Sequence, residues 1–171
     1  AALRAVLTDG AEGNPFYMEE LVKMLIDDGV IEVGAERWRV LPDKLLTAHV
    51  PTTLTGVLQA TLDALGARER TALQQASIVG HVFWDQALAA IAPDAVAAIP
   101  LLMRRQLVVR RDGQPDSGEF AFQHHLLHQV TYSGVLKEQR RQGHERVGAF
   151  WSARAEVASP ESVTPATCHA L

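Results

Sequence analysis

The tightest constraint on this chain is a run of apolar residues at helical spacing between Asn14-Pro15 on one side and Gly29 on the other. Met18, Leu21, Val22, Leu25 and Ile26 fall at i, i+3, i+4, i+7 and i+8, a single stripe that must be buried against a second layer. Asn14 is suited to cap the helix with its side-chain oxygen. Pro15 fits the first helical position, where its missing N–H costs nothing, and Glu19 and Glu20 are placed toward the positive end of the helix dipole. Gly29 supplies the left-handed residue that ends such a helix.

Similar stripes recur further along. Thr52 or Thr53 is positioned to cap a helix with Leu54, Val57, Leu58, Leu62 and Leu65 inward, ending at Gly66. A second helix is expected from Ala67 to Val79, with Leu73, Ala76 and Val79 inward and Gly80 as terminator. A short helix follows from Trp84 to Ala92, stopped by Pro93. Another runs from Asp94 to about Gln106, which Pro100 should kink or split. Two more are expected over 125–136 and 138–156. The β signals are short. Val30–Val33 and Arg37–Val40 alternate around Gly34, which predicts a hairpin that covers one end of the helical layer with Trp38. Leu107–Arg111 and Glu119–Phe122, on either side of a polar turn over 112–118, predict a two-stranded wing. Three helices followed by such a hairpin describe a winged-helix unit. Leu41–Val50 has no clear period and ends at Pro51, so a linker and a subdomain boundary near residue 48 are expected there. Ala1–Glu12 carries Leu3, Val6 and Leu7 at helical spacing without a start signal, as the cut end of a longer helix would. From Val157 to Leu171 periodicity is lost, and a disordered tail is expected.

With 171 residues and 47% hydrophobic content, the chain can bury one domain's core or two small ones. No run approaches the ~18 apolar residues of a membrane span, and no secretory leader pattern is present, so no membrane partner is expected. The single Cys168 rules out an internal disulfide framework and suits a cytoplasmic setting. Charge is uneven: residues 1–100 hold 7 Lys/Arg against 13 Asp/Glu, and residues 101–171 hold 9 against 7. A dedicated DNA binder carries a denser basic patch.

The Gly13-Asn14-Pro15-Phe16 turn before Glu19-Glu20-Leu21-Val22 resembles the lid subdomain of STAND-type AAA-related signalling ATPases, the regulatory modules joined to adenylate/guanylate cyclase or LuxR-type DNA-binding domains. The resemblance extends over residues 50–84, where V-P-x-T-L-x-G-V-L-x-A-x-L-D-x-L and then E-R-x-x-L-Q-x-A-S-I-V-G-x-V-F-W follow the family's pattern. It continues in Phe120-x-Phe122-Gln123-His124-x-Leu126-Leu127 through Val130-x-Tyr132, similar to the F-x-F-R-H-A-L-L motif closing that family's winged helix. Thr61, Gln123 and His125 depart from it, standing where relatives carry Arg, Arg and Ala.

The resemblance implies a mainly α fold. A helical lid subdomain occupies residues 1–48, a winged-helix-like subdomain with small β-hairpins residues 49–135, and a helix leading toward a helical-repeat region residues 136–156. It implies ATP or ADP as cofactor of a longer parent, with Asn14 and Pro15 on the adenine side. Its partners would be an N-terminal P-loop domain and a C-terminal helical-repeat or output domain. The expected function is regulatory, coupling nucleotide state to a cyclase or transcriptional output. The chain itself contains no G-x-x-x-x-G-K-[ST] and no Walker B strand, so no catalytic residue is assigned and no enzyme activity is expected of it alone.

Other chemistry is poorly supported. His124 and His128 lie at i and i+4, a spacing zinc can bridge, but no Glu intervenes as in H-E-x-x-H and no third ligand is evident, so no metal is assigned. His124 is expected instead to bond backbone groups where the wing turns into helix. Glu19 and Glu20 are adjacent on a helix and point about 100° apart, so they cannot converge as an acid/base pair; dipole and solvent account for them. No Gly-x-Ser-x-Gly is present to suggest a hydrolase. The alternative function is a DNA-binding winged helix reading through Asp94–Gln106. Ala95, Val96, Ala97, Ala98 and Ile99 offer no base-reading groups before Arg104 and Arg105, so nucleic acid ranks as the less favoured partner.

Overall fold

The computed structural model of the chain describes residues 14–34, 37–48, 50–111 and 118–158. The expectations for Ala1–Glu12, for all of the wing turn but Gly118, and for the tail beyond Ala158, Cys168 included, lie outside the described residues.

The protein is mainly helical, with antiparallel sheets of two and three strands. Helix α1, Pro15–Asp27, starts as its sequence dictates: the Asn14 side chain accepts from the N–H groups of Phe16 and Tyr17, and Pro15 occupies the first turn. It ends in a Schellman motif, in which Gly29 N–H donates to Ile26 O and Val30 N–H to Leu25 O, both at 2.9 Å, with Gly29 at φ +65°.

Strands β1 (Ile31–Val33) and β2 (Trp38–Val40) form the first hairpin, pairing Ile31 with Val40 and Val33 with Trp38. Trp38 does not cover the helical layer. It is 60% exposed and its cross-strand partner Val33 is 57% exposed, because only the Ile31–Val40 end of the hairpin reaches the core beside α1. The expected linker also contains structure: α2, Pro42–Thr47, is a six-residue helix opened by Pro42.

Helix α3, Leu54–Asp63, is capped by Thr53, whose hydroxyl accepts from Gly56 N–H. It serves two cores. Leu58 and Leu62 pack with Leu73, Phe83, Leu88, Phe122 and Leu127, whereas Val57 packs with Tyr17, Leu21, Leu25 and Ile31 from α1 and β1. Leu54 touches both groups, and Tyr17 Oη donates to Pro51 O at 2.6 Å, fastening α1 to the approach to α3.

Helix α4, Ala67–Val79, has the bounds the pattern predicts. Gly66 belongs to its start rather than to the end of α3, its N–H donating to Glu69 Oε2 at 3.0 Å. Arg70 donates from Nε to Leu62 O and from Nη2 to Asp63 O and Leu65 O, gathering the C-terminal carbonyls of α3 and fixing the α3–α4 junction. Glu69 Oε1 also accepts from Arg105 Nε at 2.8 Å, joining α4 to the end of the third helical segment.

The expected two-stranded wing forms, and a third strand, unforeseen in the sequence, pairs onto it. Strand β3 (Val82–Trp84) follows α4, then come α5 (Asp85–Ile91), a 3-10 helix over Pro93–Ala98, α6 (Ile99–Arg104), β4 (Val108–Arg110) and β5 (Glu119–Phe122). The order in the sheet is β3-β5-β4, with Phe83 opposite Phe120 and Val108 opposite Phe122. Helix, strand, three helical segments and a hairpin whose second strand pairs back onto the first strand make a winged-helix-like arrangement. The segment after Asp94 is divided as Pro100 requires, a 3-10 turn giving way to α6 with Pro100 in its first turn. Phe120 and Phe122 share the core-facing side with Phe83, their rings 5.8 and 5.9 Å from its centroid.

Helices α7 (His125–Ser133) and α8 (Lys137–Ala158) close the structure, α8 taking in Val157 and Ala158 from the expected tail. Gly143 lets α8 lie against α4, since a Cβ there would meet the Ile78 side chain at 2.8 Å. Arg146 donates to Ile91 O at 3.1 Å and holds α8 on α5.

Two substitutions test this packing by thermal or urea unfolding. Phe122→Ala should cost about 3–5 kcal/mol, since the ring is fully buried between the sheet and α7. Gln106 sits at φ 57° as the left-handed residue of a second Schellman motif, with Leu107 N–H donating to Leu102 O. Gln106→Gly should stabilise by about 0.5–1 kcal/mol by removing that strain; a destabilised variant would contradict the assignment.

Candidate functional site

The turn at the start of α1 is where the sequence places a site, and it is open. Asn14 and Pro15 are both exposed, while the Asn14 side-chain oxygen is committed to the helix start. Pro15 therefore stands at the surface in the first turn of α1, beside the cap. Phe16, the next residue, turns inward and its ring lies 3.8 Å from the His124 imidazole, centroid to centroid and tilted by 47°. His124 immediately precedes α7, so this contact joins the tip of α1 to the end of the wing.

His124 does not bond backbone at the wing as its position led us to expect. Its Nε2 is buried and has no hydrogen-bond partner among the described residues. Aromatic packing on Phe16 replaces the expected bond, and a backbone bond of that kind is made by His128, whose Nε2 lies 3.0 Å from Ser77 O. A buried ring nitrogen without a partner carries a desolvation cost of about 1–3 kcal/mol.

Glu19 and Glu20 are also arranged differently from the solvated pair expected. Lys23 Nζ lies 2.8 Å from Glu19 and 3.0 Å from Glu20, and Glu20 is only 5% exposed. Hydrogen bonding to Lys23 holds the Glu19 carboxyl below the usual range. For Lys23 itself, burial works against the charge, but its bonds to Glu19 and Glu20 outweigh it and leave the ammonium raised. The trio is a closed ion-pair set one turn into α1, with no free acid or base for catalysis.

The histidines regroup. His124 faces α1, whereas His125 and His128 of α7 come together with His81, which the sequence reading passed over. Ring centroids are separated by 5.3 Å for His81–His125, 6.0 Å for His81–His128 and 6.0 Å for His125–His128. Strand pairing makes this group, since Phe122 N–H donates to His81 O just ahead of the Val82–Ala121 pair. No local signal marks His81; only the register of β3 on β5 would have found it. Among the described residues no three His, Cys, Asp or Glu side chains are arranged to hold a metal ion.

A groove of about 910 Å³ runs between α4 and the 3-10 helix, with Arg68, Thr71, Pro93 and Asp94 among its lining residues. It shares no residue with the Asn14 turn. Its remaining walls are largely alanine, and its Glu69 is already engaged by Arg105. In the segment Asp94–Gln106, to which the alternative function assigns DNA readout, Ile99 and Leu102 are buried and Arg105 pairs with Glu69.

Of the departures from the family pattern, Thr61 bonds its own helix at Val57 O, and Gln123 pairs through its backbone with Leu107 O. If Asn14 acts chiefly as the cap, Asn14→Ala should cost about 1 kcal/mol in thermal unfolding, within a range of about 0.5–2. No loss would show that the cap is dispensable. No known family model, curated protein or solved structure matches the chain.

Proposed function

We propose that this chain is the lid and winged-helix part of a STAND-like signal-transduction ATPase, passing nucleotide state from a P-loop domain to a cyclase or transcriptional output. The observation that carries the reading is the juxtaposition of exposed Pro15 with Phe16 and the unpartnered Nε2 of His124. An adenine base packs on apolar ring surface such as Pro15 provides, and by displacing Phe16 it reaches the His124 Nε2, which is buried behind that ring in the free chain. Asn14 fixes the turn and Pro15 forms the contact.

The same contact supplies a route for coupling. A ligand sensed at His124 acts at the residue from which α7 springs, and α7 leads directly into α8. Nucleotide state is transmitted only if the two nucleotides differ in their contacts with such an element. The phosphate cradle is supplied by a P-loop domain, N-terminal in the same polypeptide on this reading, and α8 leads to a helical-repeat or output domain. ATP and ADP are cofactors of the parent, in a cytoplasmic setting, and no hydrolysis is assigned to this chain. Among the described residues no helix is long and apolar enough to cross a membrane.

The test is nucleotide binding by calorimetry, with and without the P-loop domain. This chain alone should bind ADP more weakly than about 1 mM, the level of a single apolar contact and one hydrogen bond. In the parent, Pro15→Ala should weaken ADP modestly, and His124→Leu, which keeps the bulk but removes the nitrogen, by about tenfold. Unchanged affinity in both variants would overturn the site.

A further inference from the structure

We propose that His81, His125 and His128 form an acid-sensitive latch that holds α7 against α4 and the wing while the three rings are neutral and loosens it when they charge. The proposal is independent of nucleotide binding.

The geometry of His128 requires the neutral ring. Ser77 O can only accept, so Nε2 carries the proton and donates to it at 3.0 Å, which leaves Nδ1 as a bare acceptor. That Nδ1 is buried and has no partner among the described residues. Protonating it would place a second N–H, with a positive charge, where nothing accepts it. Phe122 packs edge-on to the ring at 5.1 Å and Tyr132 stacks on it at 6.1 Å, so neither neighbour offers a lone pair in the ring plane.

The surroundings add charge of the same sign. From the α4–β3 turn comes His81, from α7 His125, and from the end of β4 Arg111, whose charge reaches His81. Arg111 itself lies 3.5 Å from the Glu119 carboxylate of β5. From α8, Arg140 lies 4.9 Å over the Tyr132 ring and His144 Nε2 meets Tyr132 Oη at 2.9 Å. Arg140 adds a fixed positive charge on that side. His125 turns its Nε2 to Gln129, which is neutral.

Burial first, then the charges of His125, His128 and Arg111, holds His81 below the usual 6.5. Burial likewise lowers His128, opposed by the Ser77 bond and assisted by His125. Both folded values are depressed, so the stability the cluster contributes is fully present above about pH 6.5 and is lost as pH falls through the folded values. His128 lies mid-way along α7 and, through Tyr132 and His144, reaches α8. The first structure to loosen is therefore the α7–α8 layer, while α1 and the first hairpin stay packed.

Amide hydrogen exchange on the full chain at about pH 7.5 and about pH 5.5, one unit either side of the ordinary histidine value, tests the latch after correction for intrinsic exchange. Protection of α7 should fall by a larger factor than that of α1, as the depressed protonation of His81 and His128 requires. In His81→Gln/His125→Gln, which leaves the Ser77 bond in place, that excess loss should shrink. Equal losses in α7 and α1, or an undiminished excess in the double variant, would overturn the proposal. Should the variant fail to fold, ring titration by NMR on the wild-type chain decides: His81 and His128 titrating below 6.5 support the latch, and either titrating at or above it refutes it.

Discussion

Everything in this structure depends on α3 being buried on two sides at once. A ten-residue helix normally turns one stripe inward and leaves the rest to water. Here consecutive residues divide between neighbours, Val57 entering the core of α1 and the first hairpin and Leu58 that of the winged unit, both with no exposed surface. Neither core can open without stripping apolar area from the helix it shares, at roughly 25 cal/mol per Å². The polar contacts reinforce the arrangement. Arg70 collects the carbonyls at the end of α3, Glu69 ties α4 to Arg105, and the Tyr17 hydroxyl fastens α1 to Pro51.

This sharing explains why a small contact at the edge matters. Phe16 belongs to α1 but packs against the winged unit's core, touching His124 just before α7. A change at the Asn14–Pro15 turn is thus felt on both sides of α3 without any long chain of intermediates. His124 and His128 each leave one ring nitrogen buried and unpaired, which a protein selected for stability alone would not retain. The first is turned to α1 and the proposed nucleotide site, the second into the histidine cluster. His124 caps the start of α7, and His128 lies one turn inside it.

Much of the fold was legible wherever a single helix carried both its stripe and its punctuation. Ala67–Val79 begins and ends where pattern places it, and Asn14, Pro15 and Gly29 do the capping their chemistry suggests. What escaped was decided by distant partners. Val82–Trp84 is too short to announce a strand and becomes one by pairing with β5. Trp38 looked like a core residue, yet the hairpin projects past the helix that would have covered it. Pro42–Thr47 lacks a period because its helix is less than two turns long. At the site, the Asn14-Pro15 turn was readable, but the role of His124 was not, since Phe16 is over a hundred positions away in the chain. His81 joined the other histidines through strand register alone.

The central claim is that the two cores behave as one unit because α3 serves both. Urea unfolding followed residue by residue, through amide resonances of α1 and of α5, measures this directly. Coincident midpoints and slopes in the two helices are the predicted result, with Val57→Ala lowering both midpoints together although Val57 faces only the first core. Separate transitions, or a Val57→Ala effect confined to α1, would contradict the account.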